Sequence, residues 1–293
     1  MHVLLFYVFT VPLCCFAITL LLFGMSFLLP TISLFGFLAR LLSSYLSLLL
    51  CATYGVLASV ALRIFGYHRL AQWATARSFD LVMRYTTGVR FVIVEGEEYL
   101  TSRRPMVIVG NHQTELDVLF LGRIFPKYCS VTAKKSLARV PLLGWFMSLS
   151  GTVFIDRVDR SQAMKAFEGA AREMRIHKQS VFIFPEGTRS YARSPSLLPF
   201  KKGAFHLAVQ AHVDICPVVA ENYSKILDVK RRHFVGGQIR VKGEQHIAVS
   251  NRSYISLAGL LPLPLLFSSP FSSRADLSGG LCLNSTCKRY FAH

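Results

Sequence analysis

The sequence is short of acidic residues, and its N-terminal end has almost no charge. It contains 33 Lys and Arg but only 16 Asp and Glu, a formal net charge of +17 over 293 residues. No charged residue lies in the run at 3–39, and a second uncharged run covers 41–62. Because about twenty apolar residues cross a bilayer core, both runs are long enough to anchor the chain in a membrane. We therefore expect two helices that form a hairpin, with Arg40 in the loop between them.

The same end lacks the features of a cleavable signal peptide. It has no basic n-region, and its apolar stretch is far longer than the h-region of such a peptide. Basic residues follow the second run at Arg63, Arg69 and Arg77. The positive-inside bias therefore predicts an integral membrane protein whose chain after Arg63 faces the cytosol. Pro12 and Pro30 leave open a broken or partly re-entrant first helix.

Patterns typical of metal and nucleic-acid sites are also missing. The seven cysteines are odd in number, three of them lie in the apolar runs, and no Cys-x2-Cys or His-Glu-x2-His pattern occurs. We interpret them as buried apolar side chains in a reducing compartment, and we expect neither a metal nor a cofactor. There is no zinc-finger spacing, aromatic RNA-binding strand or basic zipper, so nucleic acid is not the expected partner. The positive charge instead favours anionic lipid and phosphorylated substrates.

No Gly-x-Ser-x-Gly elbow occurs, but a histidine and an aspartate, His112 and Asp117, follow the apolar run at 106–109. We expect a strand, a turn that carries His112, and a helix whose early residue Asp117 reaches one ring nitrogen. An imidazole held in this way keeps one tautomer and takes a proton from a substrate hydroxyl, without a covalent intermediate. Taken alone, this pair is a weak pattern, and most such pairs are incidental.

A second candidate segment, 184–190, follows another apolar run. It combines Gly187, which permits close backbone approach, with the hydroxyl of Thr188 and the guanidinium of Arg189. This combination suits a phosphate monoester. An ordinary turn with a solvated arginine explains the segment equally well.

Two further segments carry weaker signals. The segment 151–157 ends in Arg157, which either joins Arg189 at one phosphate or pairs with a neighbouring aspartate on the surface. The apolar segment around Pro217 is explained by a buried strand alone. The lysines at 201–202 either add positive charge near the phosphate or are solvated at the start of a helix.

Short apolar runs alternate with helical patterns through most of the chain after residue 66. Strands are predicted at 91–94, 106–109, 128–132, 152–155, 181–184, 215–219 and 238–241, and helices at 67–89, 115–125, 142–149, 161–177 and 204–211. This alternation is typical of an α/β layer whose functional loops lie at the carboxyl ends of its strands. We divide the chain into a membrane hairpin (1–65), an α/β domain (66–243) and an irregular C-terminal tail (244–293).

Taken together, the four segments closely resemble the motif blocks of the lysophosphatidate acyltransferase family, the 1-acylglycerol-3-phosphate O-acyltransferases. The resemblance covers about half the chain and rests on the order and spacing of the blocks, and the two apolar segments fit the family as well. It implies an acyltransferase domain with a mixed sheet flanked by helices, in which His112 is the general base and Asp117 orients it. Pro217 is associated with the acyl-CoA or acyl-chain pocket. The other implied site residues bind the glycerophosphate: Arg157, Glu186, Gly187, Thr188 and Arg189.

The resemblance also implies the reaction and its place. An acyl group would move from acyl-CoA to the sn-2 hydroxyl of lysophosphatidic acid, giving phosphatidic acid, at the endoplasmic reticulum membrane. The alternatives are an acyltransferase for glycerol 3-phosphate or another lysophospholipid, and a membrane lipid-binding protein without catalysis. After Lys242 the sequence lacks the Pro-rich segment and helix typical of the family. We therefore expect an altered C-terminal end, and the sequence leaves the activity of the chain, its acyl preference and its oligomeric state open.

Overall fold

The computed structural model of the protein describes residues 2–30, 33–156 and 158–249. Two long apolar helices come first, α1 (His2–Leu28) and α2 (Ser33–Ile64), and a 3-10 helix at His68–Leu70 leads into α3 (Ala71–Thr87). The elements that follow are β1 (Val89–Glu95), β2 (Val107–Gly110), α4 (Asp117–Ile124), β3 (Cys129–Lys134), α5 (Leu143–Leu149), β4 (Val153–Ile155), α6 (Arg160–His177), β5 (Ser180–Ile183), α7 (Gly203–Ala211), β6 (Ile215–Ala220), β7 (Leu227–Asp228), β8 (His233–Phe234) and β9 (Gly237–Gly243).

Seven of these strands form one mixed sheet in the order β1-β9-β6-β2-β5-β3-β4. Each neighbouring pair is parallel except β6 and β9, which run antiparallel. The central strands β2, β5 and β6 are buried along their whole length, as expected for parallel strands covered on both faces. The predicted α/β fold with a mixed sheet is therefore confirmed. The separate β7–β8 pair escaped prediction because strands of two residues leave no periodic pattern.

Alternate side chains of each strand enter two cores on opposite faces of the sheet. Ile108 of β2 packs with Phe120 of α4 on the face covered by α2, α3 and α4. Val107 and Val109 of the same strand pack with Leu207 of α7 on the face covered by α6 and α7. This division follows from the two-residue period of a strand. Since β2 and β5 are parallel neighbours, the segments that follow them emerge at the same edge of the sheet.

The helices α1 and α2 pack on each other and leave much apolar surface exposed. Phe27 of α1, for example, is 86% exposed. The segments Thr10–Leu28 and Ser33–Ile64 are long and apolar enough to cross a membrane. An exposed apolar surface of this extent marks a site of membrane or protein contact, and the length of both helices favours membrane association.

Arg40 lies inside α2 and not in the loop between the apolar helices, so that part of the prediction is wrong. The first helix stops before Pro30, because the residue before a proline disfavours helical geometry. The Arg40 Nε donates to the Thr87 oxygen at 3.1 Å, and its Nη1 lies 3.4 Å from the oxygens of Gly36 and Phe234. Carbonyls at the C-terminal end of α3 carry partial negative charge. The guanidinium is therefore stabilised within the apolar helix.

Most predicted elements agree with the structure to within two residues, and the largest difference has a local cause. The predicted helix at 67–89 is a 3-10 turn followed by α3, which ends at Thr87. Gly88 adopts a left-handed conformation with φ of +74°, and its amide donates to the oxygen of Arg84. Glycine at this position ends a helix without steric strain.

The described chain beyond β9 still packs on the sheet. Ile247 pairs with Ile215 of β6 through two backbone hydrogen bonds of 2.8 and 3.0 Å, and the Glu244 amide donates to the Pro217 oxygen at 2.9 Å. These contacts connect the first residues of the predicted tail to the α/β domain. The rest of that tail, 250–293, lies outside the described residues, and the three-part division of the chain stays a prediction.

Candidate active site

The loop after β2 is bonded to the carboxyl end of the neighbouring strand β6. The Asn111 Nδ2 donates to the Ala220 oxygen at 2.8 Å, and the Asn111 Oδ1 accepts from the Ala220 amide at 2.9 Å. The Gln113 Nε2 donates to the oxygens of Ala220 and Glu221 at 3.1 and 2.9 Å. Side-chain amides thus satisfy backbone groups where the two strands diverge. The loop segment that contains His112 is held between these two anchors.

His112 and Asp117 are joined by a hydrogen bond of 2.6 Å between Nδ1 and Oδ2. Asp117 is the first residue of α4, and its side chain is only 3% exposed. Its Oδ2 also accepts from the amides of Gln113 at 2.7 Å and Thr114 at 3.2 Å. Backbone amides and the N-terminus of α4 thus surround this carboxylate. Because a carboxylate only accepts, Nδ1 of His112 carries the proton and Nε2 is left as an acceptor.

Glu186 holds the backbone of His112 from the other neighbouring strand. Its Oε1 accepts from the His112 amide at 2.7 Å, and its Oε2 accepts from the Leu198 amide at 2.9 Å. Burial raises the pKa of the Glu186 carboxyl, and the two amide bonds oppose that rise. The ring of Phe184 stacks on the imidazole with 4.1 Å between centroids and 14° between planes. Both oxygens of Glu186 are therefore engaged by backbone amides, one of His112 and one of Leu198.

The turn after Glu186 is shaped by Gly187 and covered by Lys201. Gly187 has a φ of +68°, a conformation that favours glycine. The Lys201 Nζ lies 3.0 Å from the position that a Cβ on Gly187 would occupy, and the Lys201 amide donates to the Pro185 oxygen at 2.8 Å. Lys201 therefore adds positive charge next to Gly187, whereas Lys202 stands at the start of α7.

Arg189 is engaged by two partners. Its Nη1 lies 2.8 Å from the Glu115 Oε1 and 3.1 Å from the Tyr191 hydroxyl. That hydroxyl donates to the same Glu115 oxygen at 2.6 Å. Arg189 and Glu115 are 40% and 44% exposed, so solvent reaches the ion pair.

A cavity of about 570 Å³ opens beside these residues. Its polar lining includes His112, Thr188 and Arg189. Its apolar lining comes mainly from α2, α3 and α5, for example Leu48, Ala52, Phe79, Phe146 and Met147. The volume lies within the range of about 300–1,000 Å³ typical of ligand pockets. A proton acceptor, an arginine and a long apolar wall therefore meet in one cavity.

Comparisons with known proteins place the chain in a family. A family model described as acyltransferase matches residues 91–221. The Saccharomyces cerevisiae 1-acyl-sn-glycerol-3-phosphate acyltransferase is 46% identical over 201 residues, which cover 69% of this chain and 66% of the yeast protein. The human beta enzyme of the same name is 35% identical over 213 residues, which cover 72% of this chain and 76% of that one. The chain belongs to this acyltransferase family.

A solved structure supports the fold of this acyltransferase. The crystal structure of the 1-acyl-sn-glycerophosphate acyltransferase PlsC from Thermotoga maritima matches with a TM-score of 0.58 and 19% identity, over 87% of this chain and 98% of that one. For some of the sequence relatives, the aligned region covers a smaller share of their length. It covers 56% of the human alpha enzyme.

The acyltransferase brings most of the residues named from its sequence to one edge of the sheet. The exceptions are Pro217 and Arg157. Pro217 pairs with Val109 in the buried centre of the sheet and is not among the residues that line the cavity. Arg157 lies outside the described residues.

Glu115, Tyr191 and Tyr223 of the site were not anticipated from sequence. Glu115 lies within the first motif block, and its negative charge close to His112 could have indicated a role in the site. Tyr223 follows β6 in a loop without periodic pattern, and it contacts Asp117 across 106 positions of the chain. Nothing in the local sequence indicates that contact.

Proposed function

We propose that this acyltransferase moves an acyl group from acyl-CoA to the sn-2 hydroxyl of lysophosphatidic acid, with phosphatidic acid and free CoA as products. The observation that carries the proposal is the 2.6 Å His112–Asp117 bond beside a cavity whose lining includes Arg189. The names of the yeast and human relatives give 1-acyl-sn-glycerol 3-phosphate as their acceptor. We extend that acceptor to this chain because the pocket pairs an arginine with an apolar wall.

His112 acts as the general base in this proposal. Its Nε2 takes the proton of the sn-2 hydroxyl while the oxygen attacks the thioester carbonyl carbon. When the C–S bond breaks, the CoA thiolate takes that proton from the imidazolium. Asp117 fixes the tautomer and stabilises the imidazolium, and general acid–base catalysis of this kind contributes about 10²- to 10⁴-fold. A covalent acyl-enzyme is unnecessary because the thioester is already activated.

The phosphate of the acceptor is assigned to the segment after β5. Arg189 offers a bidentate charged contact, Thr188 offers a hydroxyl, and the family resemblance adds Arg157. Gly187 allows the backbone of the turn to approach the phosphate closely. Glu186 supports binding indirectly, because its oxygens hold the backbone at His112 and Leu198.

The acyl chains are assigned to the apolar part of the cavity. Leu48 and Ala52 of α2 belong to its lining, so an apolar helix is one of its walls. Because acyl-CoA is made in the cytosol, we infer that the domain lies at the cytosolic face of the endoplasmic reticulum membrane. The segment 1–65 then anchors the acyltransferase domain 66–243, and 244–293 forms the tail.

The proposal is tested by comparing acceptors in membranes that contain the protein. Labelled acyl-CoA is supplied with lysophosphatidic acid, glycerol 3-phosphate or lysophosphatidylcholine, and the labelled product is identified. Labelled phosphatidic acid from lysophosphatidic acid, as the fastest reaction, is the expected result. Faster acylation of either other acceptor would contradict the assigned substrate. Transfer to none of them would favour a lipid-binding protein without catalysis.

A further inference from the structure

Tyr223 is buried against the carboxylate oxygen of Asp117 that His112 does not use. Its hydroxyl forms a hydrogen bond with Oδ1 of Asp117, while Oδ2 bonds His112. Tyr223 is 2% exposed and ranks among the largest fully buried side chains of the described residues. It belongs to the loop after β6, so a further strand end contributes to the His112–Asp117 pair.

The surroundings of the hydroxyl fix the direction of this bond. The Thr114 amide donates to the Tyr223 oxygen at 3.2 Å, and the Asp117 carboxylate accepts only. The single hydroxyl proton therefore goes to Oδ1. Burial raises the pKa of Tyr223 well above its ordinary value, and the charge of Asp117 raises it further. The hydroxyl thus stays protonated and remains a donor.

We propose that Tyr223 is a positioning residue that tunes His112 through Asp117. The role rests on the acyl transfer proposed above, in which His112 must begin each turnover unprotonated. A carboxylate that shares its charge with a hydroxyl attracts an imidazolium less than one bonded to the imidazolium alone. Tyr223 therefore keeps His112 available as a base at lower pH, and it holds the rotamer of Asp117.

The packing around Tyr223 supplies a matched control. Its ring meets Phe91 edge-on with 5.7 Å between centroids, and Phe91 also packs on Phe120 at 5.5 Å. Phe91→Leu loosens this packing and keeps the hydroxyl. Tyr223→Phe keeps the ring and removes the hydroxyl.

The first test compares these two variants in acyl transfer over a range of pH. We expect Tyr223→Phe to lower kcat about tenfold, because Asp117 loses the hydrogen bond that holds its rotamer. The KM for each substrate should stay unchanged, and the acid limb of the pH–rate profile should move to higher pH. Phe91→Leu should lower thermal stability without moving that limb. A Tyr223→Phe profile that overlays the wild-type profile would overturn the proposal.

The second test needs no substrate and therefore separates this role from the assigned acceptor. The Nδ1 proton of His112 in its bond with Asp117 is followed by proton NMR of the full chain in detergent. Tyr223→Phe should move this signal to lower field, because the Oδ2 atom becomes a stronger acceptor. Fluorotyrosine at position 223 is a stronger donor that keeps the ring, and it should move both the signal and the acid limb in the opposite direction.

These outcomes distinguish the two proposals. The NMR signal could move in opposite directions in the two variants of a protein that does not acylate lysophosphatidic acid. That result would support the role of Tyr223 and refute the assigned acceptor. An unshifted signal in both variants would refute the role of Tyr223 even if acylation of lysophosphatidic acid is normal.

Discussion

Arg189 and Glu115 form an ion pair of 2.8 Å beside the cavity, and the Tyr191 hydroxyl bonds the same Glu115 oxygen. In this conformation the guanidinium assigned to the acceptor phosphate is occupied by a carboxylate from the first motif block. A phosphate that binds Arg189 through Nη1 must therefore displace Glu115. An exposed ion pair contributes about 0–1 kcal/mol, whereas a hydrogen bond to a charged group contributes about 1.5–3 kcal/mol. The phosphate should therefore displace Glu115, but it should bind more weakly than it would if Glu115 did not pair with Arg189.

Removing the charge of Glu115 should therefore improve acceptor binding. We expect Glu115→Gln to lower the KM for lysophosphatidic acid by up to about fivefold, and Arg189→Ala to raise it about 10- to 100-fold. Steady-state kinetics with each substrate varied in turn measure both effects. If Arg189→Ala raises the KM for acyl-CoA and leaves that for lysophosphatidic acid unchanged, the arginine holds the CoA phosphates instead.

Enlarging a cavity-lining residue should change the acyl-chain preference. Ala52 is buried and lines the cavity from α2, whereas Ala61 is exposed on the same helix. Ala52→Leu fills part of the apolar space, so kcat/KM for long-chain acyl-CoA should fall relative to that for short-chain acyl-CoA. Ala61→Leu should leave the ratio unchanged. An equal loss at every chain length in Ala52→Leu would contradict the assignment of this space to the acyl chain.

Two truncations test where the folded domain ends. A chain that stops after Val249 keeps the Ile247–Ile215 bridge and the Glu244 bond to Pro217. A chain that stops after Lys242 loses these three backbone hydrogen bonds, which together contribute about 3 kcal/mol. We expect a normal Tm and normal acyl transfer from the longer chain and a lower Tm from the shorter one. Loss of transfer in the longer chain would show that 250–293 is required.

A glycosylation site at the end of α6 tests the orientation of the domain. Lys178 is exposed there in a left-handed conformation with φ of 52°, which asparagine also adopts. Lys178→Asn completes an Asn-x-Ser sequon with Ser180, and Lys178→Gln is the matched control. We expect no glycan on either variant, judged by gel mobility before and after endoglycosidase. The same sequon behind a cleavable signal peptide should be modified. A glycan on anchored Lys178→Asn that is missing from Lys178→Gln would place the domain in the lumen.

The sequence predicts what local patterns encode. The strand before His112 is a continuous apolar run that ends at Gly110, and this pattern locates β2 and the turn after it. Gly88 is a similar local signal for the end of α3, although the predicted helix extended past it to residue 89. The family resemblance adds the roles of residues whose spacing alone is a weak pattern.

The sequence does not predict contacts between distant positions. The charge of Arg40 suggested a loop, but the Thr87 carbonyl that stabilises it inside α2 lies 47 positions later. Glu186 was assigned to the phosphate, whereas its oxygens bond the backbone of His112, 74 positions earlier, and of Leu198. Such partners are set by the order of the strands in the sheet. Pro217 differs from these residues, because its apolar segment alone predicts the buried strand in which it lies.

Acyl transfer by His112→Ala and Asp117→Asn, in membranes that contain equal amounts of each protein, tests the central claim most directly. The structure predicts that His112→Ala abolishes transfer from acyl-CoA to lysophosphatidic acid while the protein stays in the membrane. Asp117→Asn should lower turnover about 10²- to 10⁴-fold, because an amide favours the wrong imidazole tautomer. Wild-type turnover in His112→Ala would contradict the account.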